Sequence, residues 1–329
     1  MATDLFDSFQ NLPSAQTATE FRAIPVSASR NDFLAKSDTG APVFLLHDAG
    51  VAKYNPAITF RYLTAQFQVT CFVATEATQL TDQFCLVSCD SGAPDLYELF
   101  VRCVDAAIQN LPPSSDTRKI ESCISQLRNL FRSFASPSSR EISGLWAELF
   151  VITTCGDVAR ALALWHGDQF DRFDFSNETM RLEVKSSVRG VRIHDFALEQ
   201  LEPPTTGRGA VASLLLQPLT SGVGVLDLAR DIEMSVSHVP SLKQKLWENV
   251  AASLGSDFSE KLDKRFDLVF AERNLILYDM RDIPAPPRPA DPRVTNVRFC
   301  SDLATVLPSI DGEPFPALVQ LIGENSASV

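Results

Sequence analysis

The sequence predicts an α/β protein with a core over residues 112–240, a β-rich N-terminal domain over 1–111 and an α+β extension over 241–329. Three observations lead there. Short apolar runs broken by turn residues fill residues 21–87, as in antiparallel strands. Apolar spacing is helical over residues 120–153 and becomes alternating over 173–185. A continuous apolar run at 211–216 then has the character of a strand buried on both faces.

In chain order, APVFLLHD, AITFRYLTAQFQVTCFVATE and FCLVSC read as N-terminal strands. Leu96, Leu99, Phe100, Cys103, Val104 and Ile108 share one helix face, and Pro112-Pro113 stops that helix and marks the domain boundary. Ile120, Cys123, Ile124, Leu127, Leu130 and Phe131 give a second amphipathic helix ending near Ser136-Pro137. A third opens with Ser138-x-x-Glu141, a capping-box pattern, and carries Ile142, Leu145, Trp146, Leu149, Phe150 and Thr153 as a stripe with Glu148 at its edge. Asp157 is placed to cap a short fourth helix that ends at Gly167. Phe173-Asp174-Phe175 and Arg181-Leu182-Glu183-Val184-Lys185 alternate, and Ser176-Asn177-Glu178-Thr179 joins them as a hairpin turn. A helix is expected over 194–202, before Pro203-Pro204 and the buried strand. Helices, hairpin, helix and buried strand in that order make an α/β sandwich. The extension adds a helix over 242–254, a strand pair within 266–278, the loop IPAPPRPADP and a strand signal at 294–299.

Composition excludes several classes. The 329 residues are 45% hydrophobic and 21% charged, with a net charge of −12, as in an ordinary globular protein. No apolar run approaches the roughly 18 residues of a membrane span. MATDLFDSFQNLP carries acids and no base ahead of its apolar positions, so a cytoplasmic location is expected. The seven cysteines are odd in number and scattered, as for reduced core residues; Cys85 and Cys89 have no second pair to complete a zinc site. No HExxH, GxSxG, GxxxxGK[ST] or GxGxxG occurs.

One constellation can carry chemistry. Glu183 and Lys185 lie two apart on a strand and share a face, and Asp174 on the adjacent hairpin strand can join them. Two carboxylates held together favour a cation between them, and their hard oxygens suit Mg²⁺ or Mn²⁺. A lysine beside such an ion can orient or deprotonate a water. Glu148 supplies an extra metal or water contact from its helix. An ExK on a strand also arises by chance, and a cross-strand Glu–Lys pair is often only a solvated sheet face. The position of the triad in a hairpin among helices favours the chemical reading.

At these residues the sequence resembles the PD-(D/E)XK signature of the restriction-endonuclease-like superfamily. The wider pattern Gly144-Leu145-Trp146-Ala147-Glu148-Leu149, Trp165, Gly167, Asp174-Phe175, Glu183-Val184-Lys185-Ser186-Ser187, His194 and Gln200-Leu201 resembles a bacterial family named as PD-(D/E)XK motif proteins. Phe173 stands where the signature has proline, a common departure in that superfamily. The resemblance implies a restriction-endonuclease-like core, a central mixed sheet flanked by helices. Asp174 and Glu183 would bind the metal with the Val184 carbonyl, Lys185 would assist the water, and Glu148 would be the helix-borne acid.

The resulting expectation is a Mg²⁺- or Mn²⁺-dependent nuclease that hydrolyses phosphodiester bonds in DNA. The resemblance adds a role in bacterial defence against foreign DNA, partners from a defence gene cluster and a homodimer. The alternative is a non-catalytic adaptor that keeps the fold to bind DNA or a partner protein. His194 and Gln200, placed on the expected helix, are candidates to reach the phosphate, as are Ser186 and Ser187. Trp146 and Trp165 read as core. Arg172, Arg181, Arg189 and Arg192 surround the hairpin and can hold a nucleic-acid backbone. The net charge is −6 over 1–111, −1 over 112–200 and −5 over 201–329, so the acidic total does not exclude a nucleic-acid substrate at the core.

Overall fold

The computed structural model describes residues 4–50, 55–135, 138, 140–166, 171–291 and 293–308. The chain divides into two compact units. The first is Met1–Pro137 with Lys243–Ser259, and the second is Ser138–Leu242 with Glu260–Val329. This division differs from the one expected at Pro112-Pro113 and at residue 241. Buried Arg30 donates to the Pro112 carbonyl at 2.9 Å, and Ala49 N–H donates to Ser115 O at 3.1 Å, which ties the chain after the prolines to the first unit.

The first unit begins with α1 (Leu5–Gln10), whose free amides Phe6 N–H and Asp7 N–H donate to the Asp4 carboxylate. Six strands follow: β1 (Glu20–Pro25), β2 (Phe33–Lys36), β3 (Pro42–His47), β4 (Ile58–Phe60), β5 (Leu63–Ala74) and β6 (Gln79–Cys89). Their order is β1-β2-β3-β6-β5-β4, and β1 also pairs with β5 in parallel, which closes the sheet on itself. Phe21, Phe33, Val43, Leu45, Cys71, Val73 and Phe84 fill the core. The β5–β6 register slips between Gln66 and Val69, with Gln68 at φ 55°. Then come α2 (Tyr97–Ile108) and α3 (Thr117–Phe131), the latter burying Ile120, Cys123, Ile124, Leu127 and Phe131 as its spacing predicts. Ser136-Pro137 lies outside the described residues.

The second unit opens with α4 (Ile142–Thr154) and α5 (Val158–Leu164). The Asp157 side chain caps α5, as expected; Gly167, the anticipated end of that helix, lies outside the described residues. The expected capping box on α4 does not form. Glu141 occupies the cap position without a side-chain bond, and Ser138 Oγ instead accepts from Arg140 N–H at 3.1 Å.

The hairpin strands are β7 (Phe175–Ser176) and β8 (Met180–Ser187), followed by β9 (Ile193–Ala197), β10 (Arg208–Leu215) and β11 (Pro218–Gly224). Then come α6 (Val225–Ser235), α7 (Pro240–Leu254), α8 (Phe258–Leu262), β12 (Arg265–Phe266), α9 (Leu268–Arg273), β13 (Leu275–Asp279) and β14 (Arg298–Asp302). The chain passes into the first unit within α7 and returns within α8. The central sheet is β13-β10-β8-β7, in which β8 and β10 are parallel and the outer pairs antiparallel. It is a mixed sheet, and the predicted run at 211–216 is its buried middle strand.

Two expectations change here. Residues 194–202 are not a helix: β9 alternates, with His194 and Phe196 buried and Ile193 and Asp195 exposed, and only Leu198–Leu201 makes a single 3₁₀ turn. The period-two pattern prevails because β14, about 100 residues later, pairs with β9 in antiparallel register. The segment 266–278 is not a strand pair either; α9 separates β12 from β13, which pair with β11 and β10. The C-terminal strands thus belong to the core, where Phe173, Phe196, Val211, Tyr278, Met280 and Leu303 pack together. Among the described residues no helix is long and apolar enough to cross a membrane. Six cysteines are buried and Cys300 is exposed; all seven are free thiols.

Gly207 immediately precedes the parallel β8–β10 pairing, which starts with Arg208 opposite Met180. Its φ is +112°, and a Cβ there would lie 1.9 Å from the Thr179 carbonyl oxygen. That carbonyl accepts the first bond of the pairing, from Arg208 N–H at 2.9 Å. Gly207→Ala is therefore expected to cost about 2–3 kcal/mol, measured by urea unfolding; a stability unchanged from wild type would contradict this role.

Candidate active site

β8 supplies the centre of the site. It is buried on both faces, with Leu182 and Val184 against the hydrophobic core and Glu183 only 3% exposed. Phe175 pairs with Leu182 in antiparallel register, which puts Asp174 opposite Glu183 one step further on. Asp174 Oδ2 accepts the Val184 amide at 2.7 Å, fixing the carboxylate against the strand. Lys185 Nζ donates to Glu183 Oε1 at 2.7 Å. The strand spacing therefore brings Asp174, Glu183 and Lys185 to one place.

Gln200, carried by the 3₁₀ turn after β9, binds this group. Its Oε1 accepts from Ala197 N–H at 2.9 Å and from Lys185 Nζ at 3.2 Å, and its Nε2 donates to Glu183 Oε1 at 2.6 Å. A backbone amide and an ammonium can only donate, so the orientation of the Gln200 amide is fixed by chemistry. Lys185 also lies over the Phe196 ring, 5.2 Å from its centre.

Glu148 reaches the same place from α4. It is 4% exposed, accepts Trp165 Nε1–H at 2.8 Å, and has both its oxygens bound by the Arg140 guanidinium. It also lies within electrostatic reach of Asp174. Burial together with the Asp174 charge pushes Glu148 up to about 7. Burial likewise raises Asp174. Burial and then the Asp174 charge lift Glu183 to about 8, against the pull of Lys185.

This donor set fits a hard divalent cation. Glu183 Oε2 is buried without a hydrogen-bond partner, beside a second carboxylate whose charge it feels. Asp174, Glu183, the Val184 carbonyl and Glu148 are the groups that could hold the ion. Among the described residues, however, no three acidic, histidine or cysteine side chains converge as a ready metal cage.

The remaining sequence candidates fall elsewhere. His194 lies on a strand instead of a helix, buried, with Nε2 2.7 Å from Ser213 Oγ; burial, Lys185 and Arg192 hold it down at about 4. Arg192 is buried and donates to Ser213 O and Asn274 O, both at 2.7 Å, so it secures β10 from within. Arg181 donates to the Glu202 and Pro203 carbonyls, and Arg172 pairs with Glu202 at 2.9 Å. Arg189 is exposed at the end of β8. Ser187 Oγ accepts from Arg189 N–H at 3.3 Å and so serves the turn, while Ser186 is half-buried opposite Leu214. Trp146 and Trp165 are fully buried, as expected, and Trp165 also orients Glu148. Sequence reasoning missed Arg140, which precedes its helix and shares no periodicity with the site.

A family model described as "Putative PD-(D/E)XK family member, (DUF4420)" matches residues 6–304. No curated protein and no solved structure matches the chain.

Glu148 and Glu183 titrate above the usual 4.5 of a glutamate, so the folded state holds protons that the unfolded chain has lost. Stability from these groups is complete below about pH 4.5 and falls as pH rises towards 8. In chelator, the unfolding midpoint is expected to drop between pH 5.5 and 8.5, with a smaller drop in Glu183→Gln. An equal drop in the variant would show that Glu183 is not the group responsible.

Proposed function

Since the chain belongs to the PD-(D/E)XK family whose model spans residues 6–304, we propose that it is a metal-dependent nuclease that hydrolyses phosphodiester bonds in DNA. The observation that carries this reading is the convergence of Asp174, Glu183 and Lys185 through the Val184 amide and the Gln200 side chain. A divalent ion at Asp174 and Glu183 would supply polarisation of a phosphoryl oxygen and neutralisation of charge developing on the phosphate. The Lys185 ammonium, held between Glu183 and Gln200, orients the attacking water. Gln200 is a positioning residue: it fixes both the acid and the base and need not touch the substrate. Glu148, which feels the Asp174 charge, holds or releases a proton as the acidic group changes charge.

The cation field for a DNA backbone is narrower than the sequence suggests. Arg172, Arg181 and Arg192 are bound to Glu202, to backbone carbonyls and to the core. Exposed Arg189 remains, together with Lys264 on an open cleft of about 440 Å³ that also borders Val188 and Ser143. Weak, salt-sensitive attraction outside the site follows from this. The resemblance to the motif-protein family adds the setting, defence against foreign DNA.

The test is incubation with supercoiled plasmid, linear duplex, single-stranded DNA and RNA, each with Mg²⁺ or Mn²⁺. Lys185→Ala is expected to lower cleavage by about 100-fold or more, and Asp174→Ala to abolish both cleavage and Mn²⁺ binding. Cleavage equal in wild type and Lys185→Ala would assign the activity to a contaminant, and DNA binding without cleavage would favour an adaptor. Gln200→Ala is expected to lower the turnover rate about tenfold while KM changes little, because its contacts are to the catalytic groups. A rise in KM alone would instead place Gln200 on the substrate.

A further inference from the structure

The acidic cluster already contains a cation of its own. The Arg140 guanidinium binds both oxygens of Glu148, and the Asp174 and Glu183 charges act on it as well. Its side chain is 28% exposed, in contrast to the buried acids, and it sits on the stretch leading into α4. This partial exposure gives the guanidinium a route to solvent by side-chain rotation.

The charges favour an exchange. With all three carboxylates ionised, Arg140 and Lys185 leave one negative charge unbalanced. A divalent ion in place of the guanidinium leaves none. The two cations exclude each other, because Arg140 Nη2 donates to both Glu148 oxygens and so occupies the lone pairs that a divalent ion would need.

We infer that Arg140 is an internal counter-cation that holds the acidic cluster in the metal-free protein and must leave Glu148 before a divalent ion can bind. This rests on the metal-dependent reading of the site. An arginine that occupies the cluster about nine-tenths of the time lowers the apparent metal affinity about tenfold. The released guanidinium then faces outward, where it can meet an anionic group of the substrate.

Calorimetric titration of the full-length protein with Mn²⁺ tests this, with wild type, Arg140→Gln, Arg140→Lys and Asp174→Asn compared and folding checked by circular dichroism. Arg140→Gln is expected to bind Mn²⁺ about tenfold tighter than wild type. Arg140→Lys, which keeps the charge on a shorter side chain and with fewer donors, should fall between them, and it carries the test should the glutamine variant fail to fold. Asp174→Asn should not bind. Arginine variants that bind within twofold of wild type, or more weakly, would overturn the role of Arg140 and leave the metal site standing. Absence of binding in wild type and variants alike would overturn the metal reading and this inference together.

Discussion

Three carboxylates buried within electrostatic reach of one another repel, and the second unit is arranged around that repulsion. Asp174 enters from the residue just before β7, Glu183 from β8 itself and Glu148 from α4. In a medium less polar than water such charges are costly unless protons or cations intervene. The protein uses both: raised proton affinity at Glu148 and Glu183, a lysine on Glu183 and an arginine on Glu148. The orphaned Glu183 oxygen marks where this balance is incomplete. An apolar substitute for the cluster would pack at lower cost, so its presence in the middle of a sheet is a reason to look for chemistry there.

Local rules made part of this legible. The two-residue period of β8 placed Glu183 and Lys185 together, and the Ser176-Asn177-Glu178-Thr179 turn set Asp174 opposite them, since both depend only on neighbours in sequence. The helix at 194–202 failed for the complementary reason. Its true alternation was short, and the partner that stabilises it, β14, lies about 100 residues away. The arginines around the hairpin misled in another way: side-chain type reveals charge, but whether a guanidinium faces solvent or a carbonyl depends on distant backbone, as with Arg192 and Asn274 O. Arg140 left no signal because its contact with Glu148 spans the start of a helix instead of following a helical repeat.

The dependence of the site on β14 follows from Gln200. The wider sequence pattern reaches Gln200 and suggests a contact with the phosphate, whereas its amide, on the turn after β9, orients Glu183 and Lys185. β9 is held by β14, through five paired residues from Ile193 with Asp302 to Ala197 with Arg298. Phe196, whose ring lies under Lys185, stacks on Phe299 at 6.0 Å. The acid and the base therefore take their orientation from a strand near the C-terminal end of the described chain. A protein cut after β10 would keep every residue of the PD-(D/E)XK signature and lose the geometry that makes those residues act together.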